Sequence, residues 1–524
     1  MDRNDVKAFL VGGGIASLAA AAYLIKEGGL KASNIHIFEA TKAVGGAMDK
    51  AGSPEKGYVI RGGRMFNFSY VCTYELLSFI PSLTDRSKTV RDEFIAFNEK
   101  VRTCAKARLI ANGEKADISL MGFGTRDRLD LVTMITRSER SLGPKRIDEC
   151  FRASFFETNF WFMWATLFGF QPWHSAVEFK RHIHRFIHEF PRIGTLAGVD
   201  RSPYNQYDSI ILPIETWLKG QGVQFEMNAT VTDLGFKPRA NETTVERLHY
   251  SVAGDAKEVM IRPNDLVFVT NGSMTAASTL GSHVCAPALD TTKPAEWALW
   301  EKLARNRRDF GRPSVFDDHI DESAWESFTV TCRDPLLLRL IEDFTGNSPG
   351  TGGLVTFKDS NWLMSIAIVH QPHFMNQPAD VEVFWGYGLF PHKPGNFVRK
   401  EMSACTGEEI LIELCSHLRF GAQLPEIRRT TTCIPCMMPY IASQFLVRQE
   451  GDRPHVVPDG STNLAFIGQF CEIEADVVFT VEYSVRSAQM AVYQLLKINK
   501  EPPAPYEGQR DLHVFMDAIE AMCG

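Results

Sequence analysis

Gly12, Gly14 and Glu39 are the residues whose types and spacing most directly suggest chemistry. Residues 9–19 read as an apolar strand, a glycine turn and a helix of small residues, and a second strand over 34–38 runs into Glu39. In a βαβ unit of this layout Gly12 makes the tight turn and Gly14 lets the backbone approach a pyrophosphate. The helix N-terminus then faces the phosphate charge. Ala16 and Ser17 keep the first helical turn small, with Ser17 in place of a third glycine. Glu39 stands where a carboxylate hydrogen-bonds an adenosine ribose. The pattern predicts a bound dinucleotide, and a purely structural glycine turn is the competing reading.

The residues that follow favour FAD over NAD. Glu39 is followed closely by Gly45-Gly46 and then by Arg61-Gly62-Gly63-Arg64, an arrangement typical of flavoproteins of the amine-oxidase and carotene-desaturase type. The glycines, Gly63 included, admit a second pass of backbone along the diphosphate and ribityl chain. Arg61 and Arg64 are placed for charge-assisted contacts to phosphate or flavin; an ordinary turn with solvated arginines is the alternative. A buried strand over 266–270 runs into Asn271 and Ser273, also assigned to the cofactor, and a strand over 464–470 leads to a helical segment at 480–488.

These elements predict an α/β fold. A discontinuous, amine-oxidase-like FAD-binding Rossmann-like domain comes from residues 1–70, 204–290 and 455–500. An α+β substrate-binding domain comes from 71–203, mainly helical, and 291–454, and a short tail occupies 501–524. The 524 residues suffice for two domains and a large core, and 44% hydrophobic with 23% charged residues is ordinary for a globular protein. A net charge of −7 argues against nucleic acid as a partner. The longest aromatic–apolar run, 160–170, is shorter than the roughly 20 residues of a membrane span and reads as a buried helix or a pocket wall. With no signal peptide evident ahead of the first strand, a soluble, cytoplasmic protein is expected.

The 11 cysteines form no framework, which suits a reducing compartment, and the Cys433/Cys436 pair lacks a second pair to complete a zinc site. His184 and His188 share a helix face at i, i+4, but His182 does not. No metal is expected there, only a solvated helix face.

Several strings together resemble the oleate hydratases, also called myosin-cross-reactive antigens. They include the runs at 14–21 and 61–64, Phe170-Gln171-Pro172-Trp173-His174, Tyr204-Asn205-Gln206-Tyr207-Asp208-Ser209, Gln371-Pro372-His373-Phe374 and Ile434-Pro435-Cys436-Met437-Met438-Pro439-Tyr440, in collinear order along nearly the whole chain. The resemblance implies a FAD-dependent hydro-lyase that adds water across the cis-9 double bond of oleic and related unsaturated fatty acids. The products are 10-hydroxy acids, with no net redox change. Such chemistry needs an acid for one alkene carbon, a positioned water for the other, and a dry apolar tunnel; 36 Phe and 17 Met would suit a tunnel or simply a large core.

The family's site residues carry over only in part. Where the better-known members have a water-activating glutamate after Arg-Gly-Gly-Arg, this chain has Met65, which cannot act as a base. Asn67 stands where many relatives have a further acid, and its amide can orient a water. The relatives' proposed tyrosine proton donor falls on His182, which is competent as an acid when protonated. Gln206 matches a substrate-contacting glutamine, and Thr430 and Thr432 match positions that hold the fatty-acid carboxylate, although plain β-strand threonines are the alternative. The departures keep two other readings open: a flavin-dependent isomerase or desaturase of fatty acids or isoprenoids, and a fatty-acid-binding protein without turnover. The tail is shorter than in many dimeric relatives, so monomer and homodimer both stand, and peripheral membrane association is compatible with a fatty-acid substrate.

Overall fold

The computed structural model describes residues 3, 5–238, 242–474 and 476–523. Its centre is a five-stranded parallel sheet built from distant parts of the chain: β1 (Ala8–Val11), β2 (Ile35–Glu39), β3 (Gln224–Met227), β4 (Leu266–Thr270) and β5 (Leu464–Ile467), in the order β5-β4-β1-β2-β3. The β1, β4 and β5 runs are apolar and fully or nearly fully buried, as expected of strands covered on both faces. Helix α1 (Ile15–Lys26) leaves the end of β1 with Ala16 to Leu24 buried and packs against α3 (Val481–Leu495). The amide of Gly468, just past β5, donates to Ser487 Oγ at 2.9 Å and fixes α3 to the sheet.

A second, eight-stranded mixed sheet carries most of the other domain. Its centre is the antiparallel set Thr431–Met438, Trp325–Cys332, Glu382–Gly388 and Met364–Ala367. The hairpin Lys50–Ser53/Gly57–Ile60 lies between the two sheets, and its amides donate to the second one, Tyr58 N to Thr329's neighbour Thr331 Oγ1 at 2.8 Å and Ile60 N to Thr329 Oγ1 at 3.1 Å. These bonds dock the segment that leads into Arg61 against both domains.

The aromatic run at 160–170 forms the helix Asn159–Phe168, capped by Thr158 and ended by Gly169 in the left-handed conformation (φ 80°). It is followed by α2 (Ala176–Phe186). The solvated histidine face expected on α2 is not observed: Lys180, Arg181, His182, Arg185 and His188 are all buried. Their charges are absorbed internally, because Glu178 Oε1 lies 2.8 Å from Arg448 Nε and 3.0 Å from Arg453 Nη1, with Arg181 Nη1 2.9 Å from Glu472. Burial alone would raise the Glu178 carboxyl, but Arg453, Arg448 and Arg181 hold it far below the usual carboxylate range. Cys433 and Cys436 are buried strand residues, consistent with plain packing.

No helix among the described residues is long and apolar enough to cross a membrane. Glu178→Ala strands two buried guanidinium groups and is expected to cost about 3–5 kcal/mol. Thermal unfolding followed by circular dichroism checks this, and an unchanged midpoint would contradict it. The ionic contribution of Glu178 should persist above the unfolded carboxylate pKa of roughly 4.3 and fade only as pH falls toward its lower folded value.

Candidate functional site

The first glycine turn makes an open cradle at the end of β1. Gly12 has φ 93°, and its amide donates to Phe38 O at 2.8 Å, tying β1 to β2 as they end. Glu39 Oε2 accepts from the Gly13 amide and Oε1 from the Thr41 amide, both at 2.8 Å, which holds the carboxylate at the mouth of the turn. Gly45 N donates to Gly13 O at 2.9 Å, so the second glycine pair crosses directly over the first. A Cβ built on Gly14 would meet no atom within 4 Å, whereas one on Gly13 would lie 2.8 Å from Glu39 Oε2. The empty space therefore opens from Gly14, at the N-terminus of α1. Ala16 and Ser17 are buried in the first turn of that helix, and Ser17 Oγ is 3.3 Å from Thr270 Oγ1.

Two further observations fit a polar, negatively charged group along this cradle. Asn271, at the end of β4, is buried with neither Nδ2 nor Oδ1 hydrogen-bonded among the described residues. A buried amide left in that state is costly unless a ligand satisfies it. Arg64 is half-buried, bonds weakly to Ala47 O at 3.4 Å, and has no carboxylate partner among the described residues; desolvation, with the Arg61 charge nearby, lowers its pKa to about 10. Arg61 differs, because its Nε donates to Asp49 Oδ1 at 2.8 Å and its Nη2 to Gly46 O at 2.8 Å, so it braces the second glycine pair. Ser273 accepts from Trp297 Nε1 through its carbonyl at 3.3 Å.

The Arg61–Arg64 segment is also the wall of a cavity. Apart from that segment its lining is mostly aromatic and aliphatic, with Phe66, Phe168, Trp325, Trp385 and Phe479 prominent. A smaller chamber shares Gly63, Arg64, Met65 and Trp385 with it and adds Gln206, Arg201 and His373. Gly63 is where the backbone passes the Trp385 ring, with a built Cβ only 3.5 Å from it. Met65 and Trp385 are thus part of a wall common to both chambers.

Of the residues singled out for catalysis, Met65, Asn67 and Gln206 reach these chambers. Met65 lines both, Asn67 the larger and Gln206 the smaller. Gln206 Nε2 donates to Arg64 O at 3.3 Å. His182 is not on either wall. Its ring packs among Phe168, Phe170 and Phe445, its Nδ1 is 2.8 Å from Glu178 O, and burial lowers its pKa to about 4, so it is neutral at neutral pH. Thr430 and Thr432 line neither chamber. Thr430 ends the helix Leu424–Thr430 and donates to Glu426 O at 3.0 Å, which corrects its reading as a strand residue. Thr432 Oγ1 accepts from Arg333 Nη1 at 2.9 Å near the exposed edge of the second sheet.

Two wall residues escaped the sequence reading. Tyr70, whose hydroxyl has no hydrogen-bond partner among the described residues, lines the larger cavity, as does Glu189. Glu189 lies on a tight helical turn directly after α2, where hydrophobic periodicity gives no signal. Only the neighbouring His188-Glu189 pair could have marked it.

Gly14 has φ −77° and ψ 177°, which any residue adopts, so Gly14→Val should fold normally while its side chain fills the cradle. We expect at least about a tenfold loss of flavin affinity, ~1.4 kcal/mol, read from flavin absorbance of purified protein. Full retention would contradict the assignment of the cradle.

The sequence model of a family described as "MCRA family" matches residues 5–493. The chain is 38% identical over 529 aligned residues to an oleate hydratase of Streptococcus pyogenes serotype M49 (strain NZ131), covering 98% of this chain and 89% of that protein. It is 34% identical to a linoleate hydratase of Lactiplantibacillus plantarum, covering 93% of each. Among solved structures, cyclohexylamine oxidase from Brevibacterium oxydans IH-35A aligns with a TM-score of 0.53 at 14% identity, over 94% of this chain and 99% of that one. A putrescine oxidase bound to putrescine aligns with a TM-score of 0.54 at 12% identity, over 94% and 99%. The architecture is thus the FAD-binding Rossmann-like fold of amine-oxidase-type flavoproteins, as the glycine pattern predicts. The share of the chain matched and its identity to the two hydratases leave one conclusion: this chain belongs to the MCRA family.

Proposed function

We propose that this chain is a FAD-bound hydratase that adds water across the cis-9 double bond of oleic acid and related unsaturated fatty acids, giving 10-hydroxy acids. The observation that carries the proposal is the shared wall at Arg61–Arg64, which borders both the dinucleotide cradle and a largely apolar cavity. Names of the two hydratase relatives support fatty acid and water as the reactants. An acyl chain gains roughly 0.8 kcal/mol for each buried CH₂, so a long apolar cavity selects a lipid over a polar metabolite.

Gly12, Gly14, Glu39, Gly45, Gly46 and Asn271 would hold the dinucleotide, with Arg64 free to meet its charge. When bound, FAD would supply a planar, polarisable surface whose charge depends on its redox state. The chain's own residues do the rest. Phe66, Phe168 and Phe479 exclude bulk water from the alkene, and Gln206 orients the ligand from the smaller chamber. Arg64 lies over the Phe479 ring, 5.7 Å from its centroid, which holds the guanidinium at the junction of the chambers.

Met65 favours a second reading, a fatty-acid-binding protein without turnover, because a thioether cannot deprotonate water. Purified, flavin-loaded protein incubated with oleate in labelled water separates the two. A product heavier than oleate by one labelled water is expected; bound oleate without product would establish the binding reading instead. A flavin that cycled between redox states in each turnover would favour an isomerase or desaturase. Because His182 is sealed behind the cavity wall, His182→Phe should keep kcat within about threefold, which is ~0.65 kcal/mol in barrier height. A loss of a hundredfold or more with intact flavin would restore His182 as the proton donor.

A further inference from the structure

We infer that Glu189, held by Asn67 and His188, is the carboxylate that binds and deprotonates the attacking water in place of the missing acid at position 65. This rests on the hydratase reading above. Glu189 is the sole carboxylate among the residues lining the larger cavity, on the same wall as Met65.

Its surroundings are those of a positioned base. Two donors converge on Oε1, Asn67 Nδ2 at 2.8 Å and Arg192 Nη2 at 2.9 Å, while His188 Nε2 lies 3.2 Å from it and 3.3 Å from Asn67 Oδ1. Oε2 accepts no hydrogen bond among the described residues and remains available to a water. Asn67 is itself locked, because its Oδ1 accepts from Ser69 Oγ at 2.6 Å and its Nδ2 also donates to Gly198 O at 3.1 Å. A Cβ on Gly198 would collide with both carboxylate oxygens of Glu189, so the glycine creates the space that the carboxylate fills. Burial would raise the Glu189 carboxyl, but the His188 hydrogen bond and charge, Arg192 and Asn67 together hold it below the usual value. The group is ionised at neutral pH.

The chemistry balances with one further wall residue. Tyr70 stays protonated, since burial pushes its phenol up despite the opposing Arg185 charge. One alkene carbon takes the Tyr70 hydroxyl proton with the π electron pair, and the O–H bonding pair stays on the phenolate. The other carbon forms a C–O bond with a lone pair of the water oxygen, whose proton passes to Glu189 Oε2. Proton return from Glu189 to the Tyr70 phenolate through water resets both groups, and one water is consumed.

The test is Glu189→Gln, which keeps size and hydrogen-bonding capacity but removes the basic oxygen. With flavin-loaded enzyme and oleate, kcat for labelled-water incorporation should fall by about a hundredfold or more, with KM, flavin content and the unfolding midpoint unchanged. Adding Met65→Glu to that variant should restore at least a tenth of the lost turnover, a rescue that a merely structural role for Glu189 would not allow. Full turnover in Glu189→Gln overturns the inference while leaving the hydratase reading intact. A wild-type enzyme that makes no labelled product overturns both. If Glu189→Gln does not fold, Glu189→Asp decides: its carboxylate is withdrawn from the cavity, so a kcat equal to wild type would overturn the inference.

Discussion

The crossing of two glycine segments is the constraint from which the site follows. Gly45 donates to Gly13 O, and a Cβ on Gly46 would lie 3.3 Å from Gly14 Cα, so a side chain at Gly46 would press the two segments apart. With that crossing in place, Arg61 reaches back to Gly46 O and Asp49, and the backbone that follows is laid along the boundary between the two sheets. Arg64 and Met65 then have only one place to go, the junction of the two chambers. The cofactor cradle and the apolar cavity are two sides of one backbone path.

Under the proposed function, that path explains how a fold shared with amine oxidases would serve a reaction without net redox change. The parallel sheet, α1 and the glycine crossing would by themselves account only for holding a dinucleotide. What is done beside it depends on the lining contributed by other elements: the helix Asn159–Phe168, the turn after α2, and the strand bearing Trp385. An unactivated alkene offers no charge to bind, so the wall must be apolar, and the few polar groups must already be paired and aimed. Asn67, His188 and Gly198 do this for a single carboxylate in the proposed reaction, and the internal ion network around Glu178 secures α2, whose following turn carries His188 and Glu189. A half-buried guanidinium at Arg64 without a carboxylate partner among the described residues adds charge at the shared wall.

The cradle was legible in the sequence because its requirements are local. A tight turn, a close backbone approach and an acid at the end of the next strand are all specified within some 35 residues, from Gly12 to Gly46. Met65, Asn67 and Gln206, each beside a distinctive string, line the chambers. His182, Thr430 and Thr432 do not, because whether a side chain meets a cavity or a neighbour depends on contacts distant in sequence. His182 is enclosed by Phe168, Phe170 and Phe445, and Thr432 is engaged by Arg333, 99 positions away. The histidines of α2 look solvated in one dimension because their charged neighbours find partners only through residues such as Glu472 and Arg448. Glu189 stayed hidden for the same reason: its donors come from residue 67 and its own turn, and its space from the glycine at 198.

The most direct test of this account is a crystal structure of the flavin-loaded chain with oleate bound. The account predicts the flavin against Arg61–Arg64, the acyl chain in the larger cavity, and the cis double bond separated from Glu189 Oε2 by a single ordered water. A fatty acid seated elsewhere, or a double bond too far from Glu189 for one water to bridge, would contradict it.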